Sequence, residues 1–134
     1  MLELEQLRLE VLDLEDEVQD LAQAIGLEKL KNELVSLEAE AAEDGFWNDM
    51  QHSQKILQKI KQHKDKIGDY AKLKTLYEDT VTLIELALEE KDESVLEEAR
   101  ADANRLISKI ENTRLAALLA GEYDAKNAIL TFHA

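Results

Sequence analysis

The chain has 134 residues and a formal net charge of −14, with 30 acidic and 16 basic side chains, no cysteine and no proline. The missing cysteines exclude disulfide frameworks and thiolate metal sites, and so acidic a chain is a poor binder of nucleic acid over its whole surface, because phosphate binding depends on Lys and Arg. Because hydrophobic residues make up 45 % of the chain but aromatic residues only 4 %, the core must consist of Leu, Ile, Val and Ala, which favours an all-α bundle or coiled coil.

The first predicted helix spans residues 2–24. Its apolar residues recur at alternating steps of three and four, which predicts an unbroken heptad seam. The seam consists of Leu4, Leu7, Val11, Leu14, Val18, Leu21 and Ile25. Gly26 is placed to end this helix in the left-handed conformation. A second helix, about 28–42, leads into a short connection that favours an antiparallel neighbour.

The third predicted helix, about 50–90, is the longest. Its apolar residues keep heptad register, with one histidine and one lysine among the members. The predicted row is Ile56, Ile60, His63, Ile67, Tyr70, Lys74, Tyr77, Val81, Ile84 and Leu88. Gly68 costs about 1 kcal/mol relative to Ala in a helix interior, but we expect the helix to run through it.

A charged turn separates the third helix from a fourth, about 94–119. Ser94 with Glu97 three residues later predicts a capping box at its start. Small residues at Ala99 and Ala103 allow this helix to pack closely on the long one. No helix is hydrophobic all round, so each must bury a single stripe. The predicted architecture is an elongated antiparallel bundle or coiled coil of about four helices.

The last fourteen residues, 121–134, follow a different pattern. From residue 127 onward every second residue is apolar, with Ala128, Leu130, Phe132 and Ala134 on one side and Asn127, Ile129, Thr131 and His133 on the other, which is typical of a half-buried strand. A lone strand cannot satisfy its own backbone groups and needs a partner strand. We therefore expect a helical domain over residues 1–120 and the first, truncated strand of a further, missing domain over residues 121–134.

The sequence offers no residue set for catalysis. The histidines (His52, His63 and His133) are not spaced as metal ligands, and the four glycines are isolated rather than grouped in a phosphate-binding loop. The carboxylates lie on amphipathic helices, which seldom form the pocket that a catalytic carboxylate needs. We therefore expect no enzyme activity and no catalytic, cofactor-binding or metal site.

The N-terminus is acidic and unlike a signal peptide. No stretch approaches the roughly 20 apolar residues that a membrane span requires. We therefore expect a cytoplasmic protein with no membrane partner.

The charge is unevenly distributed. Residues 1–50 carry 15 acidic and 3 basic side chains, whereas residues 51–76 carry seven lysines and two acidic side chains. We interpret the acidic stretch as solvated helix faces. For the lysines two interpretations stay open, namely pairing with the acidic N-terminal helices or contact with RNA. The cluster consists of Lys55, Lys59, Lys61, Lys64, Lys66, Lys72 and Lys74.

Phe46 and Trp47 form an unusual aromatic pair at the junction before the third helix, where Asn48 or Asp49 is placed to cap that helix. Such a pair either plugs the open end of a bundle or serves as an exposed anchor, since Trp is enriched at binding hot spots. The sequence alone leaves both possibilities open. The candidate partner contacts are Phe46, Trp47, Lys55, Lys59 and Lys66.

Two non-helical segments resemble one family, the bacterial class-I peptide chain release factors of the UGA-reading type, release factor 2. The segment Gly45-Phe46-Trp47-Asn48-Asp49 is similar to the family's junction before a polar helix. The segment Gly-Glu-Tyr-Asp at residues 121–124 is similar to the one that enters the first strand of the family's central domain. The resemblance spans essentially the whole chain and corresponds to the N-terminal helical, PCRF-type domain.

The resemblance implies a ribosome-docking domain of a translation termination factor that reads UAA and UGA. It implies contact with the stalk-base protein L11 and nearby rRNA, and a link to the recycling GTPase release factor. The family's Ser-Pro-Phe and Gly-Gly-Gln motifs do not occur in the chain, so we expect neither codon recognition nor peptidyl-tRNA hydrolysis from it. The alternative is a generic coiled-coil scaffold or oligomerisation module. An unpaired strand edge leads us to expect that the fragment self-associates.

Overall fold

The structure, a computed structural model, describes residues 1–121, and every element in that range is helical. Two 3-10 turns, Phe46–Asn48 and Glu93–Val95, precede the last two α-helices. The α-helices are α1 (Leu2–Leu12), α2 (Glu15–Ala24), α3 (Leu27–Ala41), α4 (Met50–Glu90) and α5 (Leu96–Leu119). The all-α prediction is confirmed for this range. The strand predicted within residues 121–134 falls on residues that the structure does not describe.

Helix α4 is the longest element. Its 41 residues correspond to about 60 Å at the helical rise of 1.5 Å per residue. Gly68 lies within α4 and does not interrupt it, as the sequence predicts. The helix ends at Lys91, which adopts the left-handed conformation with φ 55°. Each of the other α-helices packs against part of α4.

The three N-terminal helices follow one another along α4 and run antiparallel to it. Contacts at three successive levels give this direction: the Arg8 and Glu85 side chains, the Tyr70 hydroxyl donating to the Val18 carbonyl, and the Glu33 and His63 side chains. Gly26, with φ 68°, connects α2 to α3 in the left-handed conformation that the sequence predicts. The chain continues along α4 after this glycine.

Helix α5 packs on the C-terminal half of α4 and also contacts α1 and α2. Arg114 Nη2 donates to Glu17 Oε1 at 2.8 Å between α5 and α2. We call this three-helix half the bundle. Towards its N-terminus α4 packs on α3, and we call this two-helix part, residues 27–66, the arm. The chain is therefore a three-helix bundle that continues into an arm, which differs from the predicted bundle of about four helices.

The single helix predicted over residues 2–24 is two helices in the structure. The backbone N–H of Leu14 donates to the carbonyl of Val11, three residues back, at 3.0 Å. This tighter bond interrupts the α-helical pattern, and α2 begins at Glu15. The predicted heptad seam is nevertheless confirmed, because Leu14 is half-buried and the other six members are buried.

Two predictions about the later helices are wrong. No capping box forms at Ser94, because the Asp92 carboxylate accepts from the Ser94 N–H at 2.9 Å and from its hydroxyl at 2.6 Å, and α5 begins only at Leu96. Lys74, predicted on the seam, is exposed. Because α4 packs on more than one neighbour in the bundle, it buries a further row with a spacing of seven, consisting of Leu73, Thr80 and Ala87.

The fold predicts a contrast between two neighbouring positions of α4. Ile84 is 0 % exposed and Leu86 is 54 % exposed. We expect Ile84→Ala to lower the free energy of unfolding by about 2–5 kcal/mol, because buried methyl groups are lost and a cavity is left. Leu86→Ala is the matched control and should change it by no more than about 0.5 kcal/mol. Urea unfolding followed by circular dichroism measures both, and equal losses would contradict the packing described for α4.

Candidate functional site

The five candidate contact residues all lie in the arm, on two separate surfaces. Phe46 and Trp47 lie in the connection between α3 and α4, which we call the tip. Lys55, Lys59 and Lys66 are exposed along α4, and we call them the basic row. The structure thus keeps the aromatic and the basic candidates on the same part of the molecule but does not bring them into contact.

The two aromatic residues of the tip have different environments. Phe46 is 8 % exposed, whereas Trp47 is 57 % exposed. Their rings meet edge to face, with centroids 5.1 Å apart, which is a favourable geometry for an aromatic pair. Phe46 therefore fills the end of the arm, and Trp47 rests on it with much of its indole in solvent. Each of the two interpretations left open by the sequence fits one member of the pair.

The backbone of the tip is held by a buried serine. The hydroxyl of Ser53 donates to the Phe46 carbonyl and, at 2.9 Å, to the Asp49 carbonyl. The Asp49 carboxylate accepts from the His52 N–H at 3.2 Å and caps α4, as one of the two predicted candidates. Sequence reasoning missed Ser53, although a small polar residue one turn before the buried Ile56 was a usable signal.

A glycine is required at the start of the tip. Gly45 has φ 80°, a left-handed backbone conformation that residues other than glycine rarely adopt. A Cβ atom there would also lie 3.0 Å from the side-chain amide nitrogen of Asn48. The turn at Gly45 directs Phe46 inward and fixes the position from which Trp47 projects.

The basic row lies on the side of α4 that is buried in the bundle. Lys59 and Lys66 are seven residues apart, and counting on by sevens leads to the buried row Leu73, Thr80 and Ala87. Lys55 lies one turn before Lys59. All three positions are exposed and charged; Lys59 lines a cavity with residues of α3, whereas Lys66 lines one with the C-terminal turns of α5. The change from apolar to basic residues along one side of α4 coincides with the change from bundle to arm.

Part of the lysine cluster pairs within the chain. Lys64 Nζ lies 3.2 Å from Glu38 Oε2 across the arm, and Lys61 Nζ lies 2.8 Å from Asp65 Oδ2 on the same helix. Within residues 1–121, Lys55 forms no ion pair. The arm therefore contains both internally paired lysines and a lysine that is open to a partner.

Two histidine–glutamate pairs join α3 to α4. His52 Nε2 donates to Glu40 Oε2 at 2.6 Å, and His63 Nε2 donates to Glu33 Oε1 at 2.9 Å. The hydrogen bond from His63, assisted by the nearby charges of Lys29 and of Lys59, lowers the pKa of Glu33 below its ordinary value of 4.5. These pairs fix the alignment of the two helices on which the tip depends.

The exposed groups of the arm are suited to binding another molecule. Its exposed groups are an indole at the tip and ammonium groups along one side. Among residues 1–121, no group of three His, Asp or Glu side chains is arranged to hold a metal ion. The helices of this range are all too short or too polar to cross a membrane. Within the described part of the chain, the buried polar side chains are Ser53 and Thr80, and both are hydrogen-bonded.

Comparison with known proteins gives a family match. A sequence profile of the PCRF domain matches residues 30–134. Peptide chain release factor 2 of Clostridium perfringens, strain SM101, is 33 % identical over 99 % of this chain and 36 % of its own length. The protein of the same name from Acholeplasma laidlawii is 34 % identical over 89 % of this chain and 32 % of its own length.

A plant organelle protein is also similar. Chloroplastic peptide chain release factor PrfB1 of Arabidopsis thaliana is 30 % identical over 84 % of this chain and 25 % of its own length. The chain spans about a third of the length of the first bacterial relatives it matches. No solved structure matches it.

The geometry of the tip predicts the effect of removing one hydroxyl. We expect Ser53→Ala to destabilise the arm by about 1–3 kcal/mol, because the inward-facing Phe46 carbonyl loses its donor. Trp47 is the only tryptophan, so its fluorescence during urea unfolding reports directly on the tip. Ser36→Ala, an exposed serine on α3, is the control. Unfolding curves that coincide for both variants and the original chain would contradict the role of Ser53.

The His63–Glu33 pair predicts an acid-dependent loss of stability. Because the pKa of Glu33 is lowered on folding, its stabilising contribution is present above the unfolded pKa and is lost as the pH falls through the lower folded pKa. We expect Glu33→Gln to flatten the decline of the melting temperature below about pH 4.5. Glu28→Gln, which removes an exposed carboxylate from the same helix, is the control. Its melting temperature should fall more steeply with decreasing pH than that of Glu33→Gln. Identical pH profiles for the two variants would refute the prediction.

Proposed function

The chain belongs to the PCRF domain family, and from this we propose that it is the N-terminal ribosome-docking domain of a cytoplasmic translation termination factor of the release factor 2 type, reading UAA and UGA. The name shared by its bacterial relatives, peptide chain release factor 2, supports this assignment. The proposed docking site is the ribosomal stalk base, with its protein L11 and the nearby rRNA. The recycling GTPase release factor is a further proposed partner.

The basic row is the observation that carries the docking proposal. The chain as a whole is strongly acidic, yet Lys55, Lys59 and Lys66 are exposed on one side of the arm. Lys55 and Lys59 lie on successive turns, where side chains are about 5–6 Å apart at their Cβ atoms. A line of ammonium groups on an otherwise acidic molecule favours contact with a phosphate backbone on this side.

The length of the arm supports a docking role. The part of α4 that lies in the arm, residues 50–66, extends about 25 Å, so the arm holds its tip at that distance from the bundle. The His52–Glu40 and His63–Glu33 pairs align its two helices, which limits the order that must be created on binding. We propose that the domain positions the factor on the ribosome, whereas codon recognition and peptidyl-tRNA hydrolysis belong to other parts of such a factor.

The alternative function is a coiled-coil scaffold or oligomerisation module. An oligomerisation seam must be open to a second copy. The seam residues Leu7, Val11 and Leu21 are buried against the chain's own helices, which favours the docking function over the alternative. Self-association of the chain remains a prediction, and light scattering that gives a monomer at high concentration would contradict it.

The proposal predicts that charge on the basic row controls ribosome binding. We expect Lys55→Glu combined with Lys59→Glu to weaken co-sedimentation with purified ribosomes about tenfold at low salt, because two phosphate contacts are lost. The salt dependence of the binding constant should become shallower by a slope of about two.

The matched control makes the same change of charge elsewhere on α4. Lys72→Glu combined with Lys74→Glu alters two exposed lysines outside the basic row and should retain most of the binding. An equal loss in both double variants would mean that net charge, not the basic row, governs binding. An unaltered chain that does not bind ribosomes would overturn the proposed function itself.

A further inference from the structure

We propose that the tip of the arm is a protein-binding anchor, in which Trp47 and Met50 enter an apolar pocket rimmed by Lys or Arg on the partner. This inference rests on the proposed function and deepens it. It assigns the tip to a protein component of the docking site and leaves the basic row to RNA. More than half of each of these two side chains is exposed.

Exposure is the first observation behind this inference. Trp47 is 57 % exposed and Met50 is 54 % exposed, and they lie three residues apart at the start of α4. Phe46 already fills the end of the arm, so Trp47 is not needed for that purpose. Tryptophan is the residue type most enriched at binding hot spots, and methionine adapts its shape to irregular apolar pockets.

Rigidity is the second observation. The Ser53 hydroxyl holds the carbonyls of Phe46 and Asp49, and the Asp49 carboxylate caps α4. The indole of Trp47 also rests edge to face on the ring of Phe46. A side chain projected from a fixed backbone loses little conformational entropy when it binds, so more of its burial appears as affinity.

Charge is the third observation, and it selects the class of partner. Glu43, Asp44 and Asp49 are exposed around Trp47, and the sequence contains no Lys or Arg between Lys31 and Lys55. These carboxylates repel a phosphate backbone and disfavour stacking of Trp47 on an RNA base. They attract a protein pocket rimmed by basic side chains, since complementary potentials favour association.

The tip and the basic row are close enough to act together. Lys59 lies nine positions after Met50, which corresponds to about 13.5 Å along α4. The arm therefore carries an acidic, apolar end and a basic side within the length of a single docking site, although Met50 and Lys59 lie on opposite sides of α4. A binding site in which a protein lies next to RNA would provide a partner for the tip and a partner for the basic row.

The affinity test uses the full chain and purified large ribosomal subunits. We expect Trp47→Ala to weaken binding about tenfold, with little dependence on salt, because an apolar contact is not screened. The defect of the Lys55→Glu, Lys59→Glu variant should instead shrink as salt rises. Leu86→Ala is the control, since it removes a similarly exposed apolar side chain from the other end of α4. Thermal unfolding should show that Trp47→Ala leaves the fold intact.

The identity of the contacted molecule is tested by photocrosslinking. A benzophenone amino acid in place of Trp47 should crosslink to a ribosomal protein, at a site next to Lys or Arg, and the same amino acid in place of Leu86 should not. Crosslinks to rRNA, or none above those at position 86, would overturn the protein-anchor inference.

The outcomes separate the inference from the proposed function. If the unaltered chain binds and Trp47→Ala binds equally well, the inference fails and the docking function stands. If the unaltered chain does not bind large subunits at all, the docking function fails and the inference fails with it.

Discussion

The structure depends on the unbroken hydrogen-bonded backbone of α4. No proline interrupts it, and Gly68 is accommodated without a break, so one continuous helix supplies the packing surface for each of the other α-helices in residues 1–121. Where α4 has neighbours on two sides it buries an additional row at a spacing of seven, Leu73, Thr80 and Ala87, and towards the arm this row continues as the exposed Lys66 and Lys59. The border between bundle and arm is therefore visible in the sequence of α4, where this row changes from buried to charged residues.

The arm has two parts of opposite charge, an acidic tip and a lysine-rich side of α4. Most of the chain repels nucleic acid through its acidic side chains, which confines any phosphate contact to the short stretch where lysines are concentrated. Internal pairs such as Lys64–Glu38 use part of that positive charge to hold the arm together. Under the proposed function, Lys55 and the acidic tip would meet groups of opposite charge on the partner, which is a basis for specificity as well as affinity.

Heptad spacing was enough to predict the helices, their buried seams and the passage of α4 through Gly68. It did not predict the break at Leu14, because a single hydrogen bond to the third preceding residue leaves the apolar pattern unchanged. It placed Lys74 on the seam because one row was assumed, and the number of neighbours around a helix is a tertiary property. The aromatic pair was recognised as unusual, but only packing distinguishes the buried Phe46 from the exposed Trp47.

The left-handed glycine between α2 and α3 has a mechanical consequence. Because Gly26 lets the N-terminal helices continue along α4 instead of turning back, the arm is braced on one side and free on the other. A tilt of the bundle by about 5° then displaces the end of a 60 Å helix by about 5 Å. A rotation of the bundle by a few degrees therefore moves the Trp47 side chain by several ångströms, which is enough to make or break its contacts.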